Sequence, residues 1–578
     1  MQPVRGKGKD TIPPAHVRYP PSRIRFPSVP WPHNEIPGEP SSAPRASMNR
    51  GFFRSTAVVG ATTLLSRITG LAREMVFAAI IPAVMLEVYV LANQIPNLLR
   101  RLFAEGAFSQ AFVPVVAEYR AKRTTQEVRE LVDSVAGTLG GILAIVTIIG
   151  VIAAPVIVWI CAPGFASKQA GQYELAVEAL RWTFPYLLFV SLTALAGGVL
   201  NSYQKFALPA FASVVLNVVM IVFAAWISPY FDEPVLALAL GVFVGGILQV
   251  VMQVPALLRL HLLHWPRWNL QHEAVRRIAL LMGPAIIGSS MGQLSVMLST
   301  AVASLLADGS MTWLFFADRL VEFPLGVFSI ALATVILPSL SAHHAQQTPA
   351  EFAETLAWAV RLVCLIVIPA SVAMLALAGP LTVVIYHRGK FSGFDVDMTQ
   401  RALMGFSLAL LGWSLIKVLA TGYYARQDTK GPVRVAMRSL GVTMALNVLV
   451  LAVLWLTGHL KSAGAHTLLA LTNGIGAMMN AGLLYVGLAR MGIIQPGHVM
   501  RGLLARIVIA SSAMGALLAW LGGDLAFWLA TGTLVRVMRL SGLIVAGIVV
   551  YFGVLWVLGV RPGQFRLQPP AIAAKGPL

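Results

Sequence analysis

Four arginines sit in stretches that are otherwise apolar. Arg67 and Arg73 fall in "STAVVGATTLLSRITGLAREMVFAAI", Arg100 in "PNLLRRLFAEGAFSQAFVP" and Arg319 in "FADRLVEFP". A charge at the centre of a membrane helix costs roughly 2.5–3.5 kcal/mol on insertion scales, so four at that depth would cost on the order of 10–14 kcal/mol. Packing does not require such residues. A guanidinium stays charged and grips phosphate oxygens two at a time, so the chemistry these residues suit is anion binding, of a phosphate or diphosphate. The competing reading is local ion pairing: Arg67 with Glu74 at i+7, Arg101 with Glu105 at i+4, and Arg319 with Glu322 at i+3. Snorkelling from helix ends fits Arg101 and Lys417. The excess of arginine over acid favours a wet cavity lined with guanidinium groups.

Arg67 and Arg73 are six residues apart, about 9 Å along a helix and about 120° around it. One straight face cannot present both equally, and Gly70 between them is where the helix can bend. Other chemistries leave little trace. There is no GxxxxGK[ST], HExxH or GxSxG stretch. "HLLH" (261–264) and "HH" (343–344) sit in or beside basic loops and read as solvated histidines. Cys161 and Cys364 lie in different apolar segments and read as buried small side chains rather than a disulfide or metal framework. "GTLGG" (137–141) and "GVFVG" (241–245) have the spacing of helix-packing glycines.

The elements that must position the arginines are membrane helices. The chain is 57% hydrophobic and 12% charged, with mean hydropathy +0.75, about half the charge of an ordinary soluble domain. Its apolar runs predict an all-α polytopic protein with helices at roughly 55–81, 86–118, 130–161, 179–203, 208–228, 234–258, 277–305, 309–341, 355–386, 400–425, 433–457, 464–490, 500–522 and 536–560, fourteen in all. The alternation of a transmembrane barrel is absent from the sequence. The net charge of +19 does not imply nucleic acid, because most of the Lys and Arg sit in alternate loops. That asymmetry predicts that both termini are cytoplasmic. Residues 1–47 are Pro-rich and basic without apolar periodicity, a disordered cytoplasmic tail or an over-extended start ahead of Met48.

The chain also repeats itself at an offset of about 224 residues. Pro114 answers Pro338 and Pro209 answers Pro432. Six helices separate the copies, so the repeat is parallel, which in transporters places the substrate path between two lobes. The expected division is an N-lobe at 48–260, a C-lobe at 261–492, two further helices at 493–562 and a cytoplasmic tail at 563–578.

"SRITGLARE", "PNLLRRLFAEGAFSQAFVP", "FADRLVEFP" and "YARQDTKGPV" together resemble the MurJ/MviN family of lipid II flippases, within the MOP transporter superfamily, from about Met48 to about residue 560. The resemblance implies two six-helix lobes, a central cationic cavity, and export of undecaprenyl-diphosphate-linked peptidoglycan precursor across a bacterial inner membrane. It assigns cavity arginines to Arg67, Arg73, Arg100 and Arg319, with Asn97, Asp318 and Glu322 in support and Arg101 peripheral. The family usually has a Gly-rich turn and an Asp at the start of helix 2; here Pro82 is in the turn and Glu87 at the Asp position, which implies a gate role for Glu87. The implied partners are lipid II, inner-membrane phospholipid and peptidoglycan synthases. No cofactor or metal is implied, and membrane potential, Na⁺ and H⁺ all remain open as the driving force. The alternatives are a polysaccharide-repeat flippase, a MATE-like antiporter, which would need acidic cavity residues, and a membrane enzyme on a polyprenyl phosphate, which would need an acid/base or metal constellation.

Overall fold

The computed structural model describes residues 45–100, 108–167, 171–262, 265–494 and 498–561. Arg101, Glu105, the tail at 563–578 and all but the last residues of the Pro-rich arm lie outside them. Contacts divide the chain after Phe53, and Arg54–Leu578 is the unit that carries the fold.

The described residues form helices and no strand. In order they are α1 Arg45–Ile80, α2 Ala83–Arg100, α3 Phe108–Lys122, α4 Thr125–Ile152, α5 Ala154–Cys161, α6 Gln172–Thr183, α7 Tyr186–Ser202, α8 Ala207–Val222 and α9 Pro234–Arg259. A second series follows with α10 Glu273–Ser304, α11 Ser310–Pro324, α12 Ala331–Ala345, α13 Pro349–Ala376, α14 Ala378–Tyr386, α15 Gly393–Tyr424, α16 Lys430–Leu456 and α17 His466–Arg490. The chain ends in α18 His498–Gly522, α19 Leu525–Ala530 and α20 Thr533–Val557. Eleven described helices are long and apolar enough to cross a membrane. The long α1 and α10, and the α2–α3 run, make the set consistent with fourteen passages. Ile148, Ile149 and Ile152 on α4, and Met538 and Val549 on α20, are more than half exposed. That is a costly surface in water and a natural one in lipid.

Local chemistry explains where the helices begin and break. Thr124 with Glu127, and Ser392 with Asp395, form reciprocal capping boxes that start α4 and α15. The apolar run expected as one helix at 130–161 breaks at Ala153, because Pro155 opens a new helix and cannot donate to the old one. Pro185 likewise separates α6 from α7.

The repeat recurs in the helix bounds. Thr125 and Pro349 each open a helix of 28 residues, and Ala154 and Ala378 open the short helices after them, all at a spacing of 224. Pro114 and Pro338 lie inside matching 15-residue helices, while Pro209 and Pro432 are each the third residue of their helix. In the first series α7 and α8 pack on α9; in the second α15 is central, packed by α11, α13 and α17. The main contacts between the two series run from α2 to α11 and from α3 to α10.

The two glycine pairs behave differently. Gly241 and Gly245 lie against Phe223 and Leu216, as helix packing requires. Gly137 and Gly141 instead receive a connecting segment: the backbone of Arg267 crosses Gly137 and the Trp268 indole fills the notch at Gly141. The Arg267 N–H donates to the Asp133 carbonyl at 2.9 Å and the Asn269 N–H to Thr138 Oγ1 at 3.1 Å. A groove without side chains admits a connecting backbone as readily as a helix, so spacing alone does not distinguish the two.

Candidate anion-binding cavity

Arg67, Arg73, Arg100 and Arg319 all line one cavity of about 1770 Å³, together with Asn97, Asp318 and Glu322. Two arginines come from α1, one from the end of α2 and one from α11, so both helix series contribute. The structure brings together seven of the eight expected site residues and sets Glu87 apart.

Arg73 is held most tightly. Its Nη1 donates to Asn217 Oδ1 on α8 at 3.0 Å, and its Nη2 pairs with Glu74, whose side chain is 3% exposed. Asn217 turns its other end on α1, donating from Nδ2 to the Ser66 carbonyl at 3.0 Å and to Thr69 Oγ1 at 3.2 Å. A single amide therefore fixes both the arginine and the helix carrying it, at the level of Gly70. Arg100 donates from Nε to Asn97 Oδ1 at 3.1 Å. Arg319 pairs with Glu322 one turn on and lies 4.9 Å from the centre of the Phe315 ring. Arg67 pairs with no described acid. Glu74, its expected partner, is taken by Arg73, and the Arg67 guanidinium rests against Gly326.

Two buried guanidinium donors of the cavity lack a partner among the described residues, Nε of Arg73 and Nε of Arg319. A buried unsatisfied donor costs about 1–3 kcal/mol, so holding these two guanidinium groups here is expensive. The charge excess is narrower than the sequence suggests. Among the described lining residues four arginines face three carboxylates, Glu74, Asp318 and Glu322. An anion therefore competes with internal acids, of which Glu322, at 47% exposure, is more accessible to solvent than Glu74.

Glu87 is fully buried outside the cavity. Its Oε1 accepts the Met311 N–H in the first turn of α11 at 2.9 Å, and its Oε2 accepts from Gln172 at 3.4 Å. Beside it the Thr312 hydroxyl donates to the Ala83 carbonyl at 2.7 Å, and the Lys390 N–H donates to the Ala79 carbonyl at 2.9 Å. Ser304 Oγ accepts from the Gly164 N–H at 3.1 Å. These contacts join turns of the two series at one end of the bundle. That end is opposite the basic loops, where Arg277 pairs with Glu118 at 2.9 Å. The two series are thus tied together at that end, mainly through backbone groups.

Sequence reasoning missed Asn217, Glu74 and Gly326 as site residues. Asn217 carries a signal, a lone amide inside "VVLNVVMIV"; Gly326 carries none. Among the described residues no group of His, Cys, Asp and Glu could hold a metal, and Cys161 and Cys364 are buried free thiols.

A multi-span helical protein built from two matching series around a charged cavity is a membrane transporter by class. The family model for "Lipid II flippase MurJ" matches residues 77–538. The "Probable lipid II flippase MurJ" of Vibrio cholerae serotype O1 is 40% identical over 522 residues, covering 89% of this chain and 98% of that protein. The "Lipid II flippase MurJ" of Burkholderia cenocepacia is 39% identical over 521 residues, covering 89% and 99%. The chain belongs to the MurJ family of lipid II flippases. Two solved structures share the fold. "Lipid II flippase MurJ, inward closed conformation" has a TM-score of 0.70 at 22% identity, covering 87% of this chain and 98% of that one. An inward-facing MATE family transporter of the MOP superfamily has a TM-score of 0.60 at 13% identity, covering 76% and 98%.

Proposed function

We propose that this chain carries lipid II from the cytoplasmic to the periplasmic leaflet of a bacterial inner membrane, with both termini in the cytoplasm, by alternating access of one cavity. The observation that carries the reading is that four arginines, drawn from both helix series, line that one cavity. In this reading the diphosphate takes guanidinium N–H groups that line the cavity and displaces Glu322 from Arg319. The contacts at Glu87, Ala79 and Gly164 hold the cavity shut on the periplasmic side until the two halves, 48–260 and 261–492, rock apart. Peptidoglycan synthases, which consume the exported lipid, are the partner class, and membrane phospholipid is the surrounding solvent. No bound cofactor is needed. The membrane potential or a monovalent cation gradient supplies the drive, and collapsing each in turn in proteoliposomes separates them.

The test is Arg67→Ala, Arg73→Ala, Arg100→Ala and Arg319→Ala, with membrane abundance and lipid II binding measured on the same samples. Each charge-assisted contact is worth about 1.5–3 kcal/mol, so each loss weakens binding by about ten- to a hundredfold. Lys in place of Arg rescues partly, since an ammonium lacks the fork. Normal abundance with undiminished binding and export in all four variants refutes the cavity reading.

A further inference from the structure

Several glycines in this protein stand where a side chain would not fit, and what stands opposite them differs. At Gly137, Gly164 and Gly389 the opposing atoms are backbone: Arg267, the Ser304 carbonyl and the Ala79 carbonyl. Backbone cannot yield without moving an element. At Gly326 the three atoms nearest to the place a methyl group would occupy all belong to the Arg67 guanidinium, with Cζ at 2.7 Å. That wall is the end of a flexible side chain. A methyl at 326 would displace the arginine and leave the fold standing.

Gly326 lies in the π-helical turn Leu325–Ile330, which follows Pro324 at the end of α11 and precedes α12. Such a turn adds a residue to the helical circuit and re-aims the surface that follows it, and it recurs at functional sites. Arg67 is on α1, in the first helix series; Gly326 is in the second. The arginine therefore joins the two series, resting its guanidinium against Gly326 just beyond the cavity-lining Leu325. The other three cavity arginines each have a side-chain partner, Asn217 and Glu74 for Arg73, Asn97 for Arg100, and Glu322 for Arg319. Among the described residues Arg67 makes no hydrogen bond or ion pair, so what sets its guanidinium in place is the shape of its seat.

We infer that Gly326 is a positioning residue for anion binding: it seats the Arg67 guanidinium on the second helix series, and a side chain there would lift the arginine out of the place where it meets the ligand. This inference rests on the cavity reading proposed above and adds a residue that touches no ligand itself. The seat works by holding a planar cation flat with its donors uncommitted, so no partner must be broken when the anion arrives. Arg73 and Arg319, by contrast, must each share their charge with an acid.

A double-mutant cycle on purified full-length protein tests it, with equilibrium binding of lipid II as the readout. Gly326→Ala should weaken binding by about tenfold, the loss of one charge-assisted contact. In an Arg67→Ala background the same substitution should change binding by less than about twofold, because the residue it acts through is gone. Binding that falls equally in both backgrounds makes Gly326 a merely structural residue and overturns the inference, while the cavity reading stands. Unchanged binding in Gly326→Ala also overturns it. Unchanged binding in Arg67→Ala overturns it as well, since Gly326 would then act through a residue that does not meet the ligand; the cavity reading falls only if all four arginine variants bind normally. Should Gly326→Ala reach the membrane at lower abundance, comparison at equal amounts of purified protein keeps the ratio decisive.

Discussion

Glu87→Ala is the perturbation that tests how the sealed end is held. The Glu87 carboxylate has no solvent exposure and accepts the Met311 N–H at 2.9 Å, so it caps α11 from a helix of the other series. A hydrogen bond to a charged group contributes about 1.5–3 kcal/mol, and its loss also leaves a buried N–H without that acceptor. Taking about 2 kcal/mol, the ratio of sealed to unsealed molecules falls by roughly thirtyfold. Glu87→Gln keeps an acceptor and should fall in between, losing only the charge assistance. Glu87→Asp draws the carboxylate back by about 1.5 Å, one carbon–carbon bond, and should also be intermediate. The assay is pulsed electron paramagnetic resonance in nanodiscs, with spin labels at Ala166→Cys and Lys390→Cys on two turns of that end, after Cys161 and Cys364 are changed to Ala. The sealed protein should give one short distance, and Glu87→Ala a second, longer population. Superimposable distance distributions for the two proteins would refute the capping argument.

Asn217→Ala should weaken lipid II binding by about tenfold without loss of membrane abundance, since it frees Arg73 Nη1 and unties α1 from α8; Asn217→Asp, which keeps the acceptor for Arg73 but loses the donor to Ser66, should recover part of it. Gly389→Ala should favour the unsealed state in the same distance measurement. Its backbone sits at φ +57°, a region that suits glycine, and a Cβ there would strike the Ala79 carbonyl.

The arginines of the cavity are legible in the sequence because a charge inside a membrane helix is expensive and so asks for a reason. The repeat is legible because prolines mark the same helical positions twice, Pro209 and Pro432 above all. What is not legible depends on geometry between distant segments. The partner of Arg73 is 144 residues away on α8, and no local spacing announces it. Helical periodicity pairs Arg67 with Glu74, yet adjacent Arg73 takes that carboxylate. Glu87 stands out as an acid in an apolar helix, but its service to the first turn of α11 emerges only once the two series are packed. The breaks at Ala153 and Pro185 are lost inside apolar runs, where hydropathy is uniform and only proline speaks.

The segment docked on Gly137 and Gly141 bears on what the peptide bond between the halves contributes. From Arg267 to Asn269 the chain is held to α4 by two backbone N–H groups and the Trp268 indole, so those residues pack with the first helix series although they follow its last helix. Only Leu270, Gln271 and His272 remain before α10 begins. A cut placed among those three residues severs the covalent path while every contact of the segment with α4 survives. A cut ahead of Arg267 instead gives the segment to the second half, as a free arm that must find its groove from solution. The boundary between the two series thus does not coincide with the end of a helix, and a split version of the protein should reassemble when divided after Asn269 and fail when divided before Arg267.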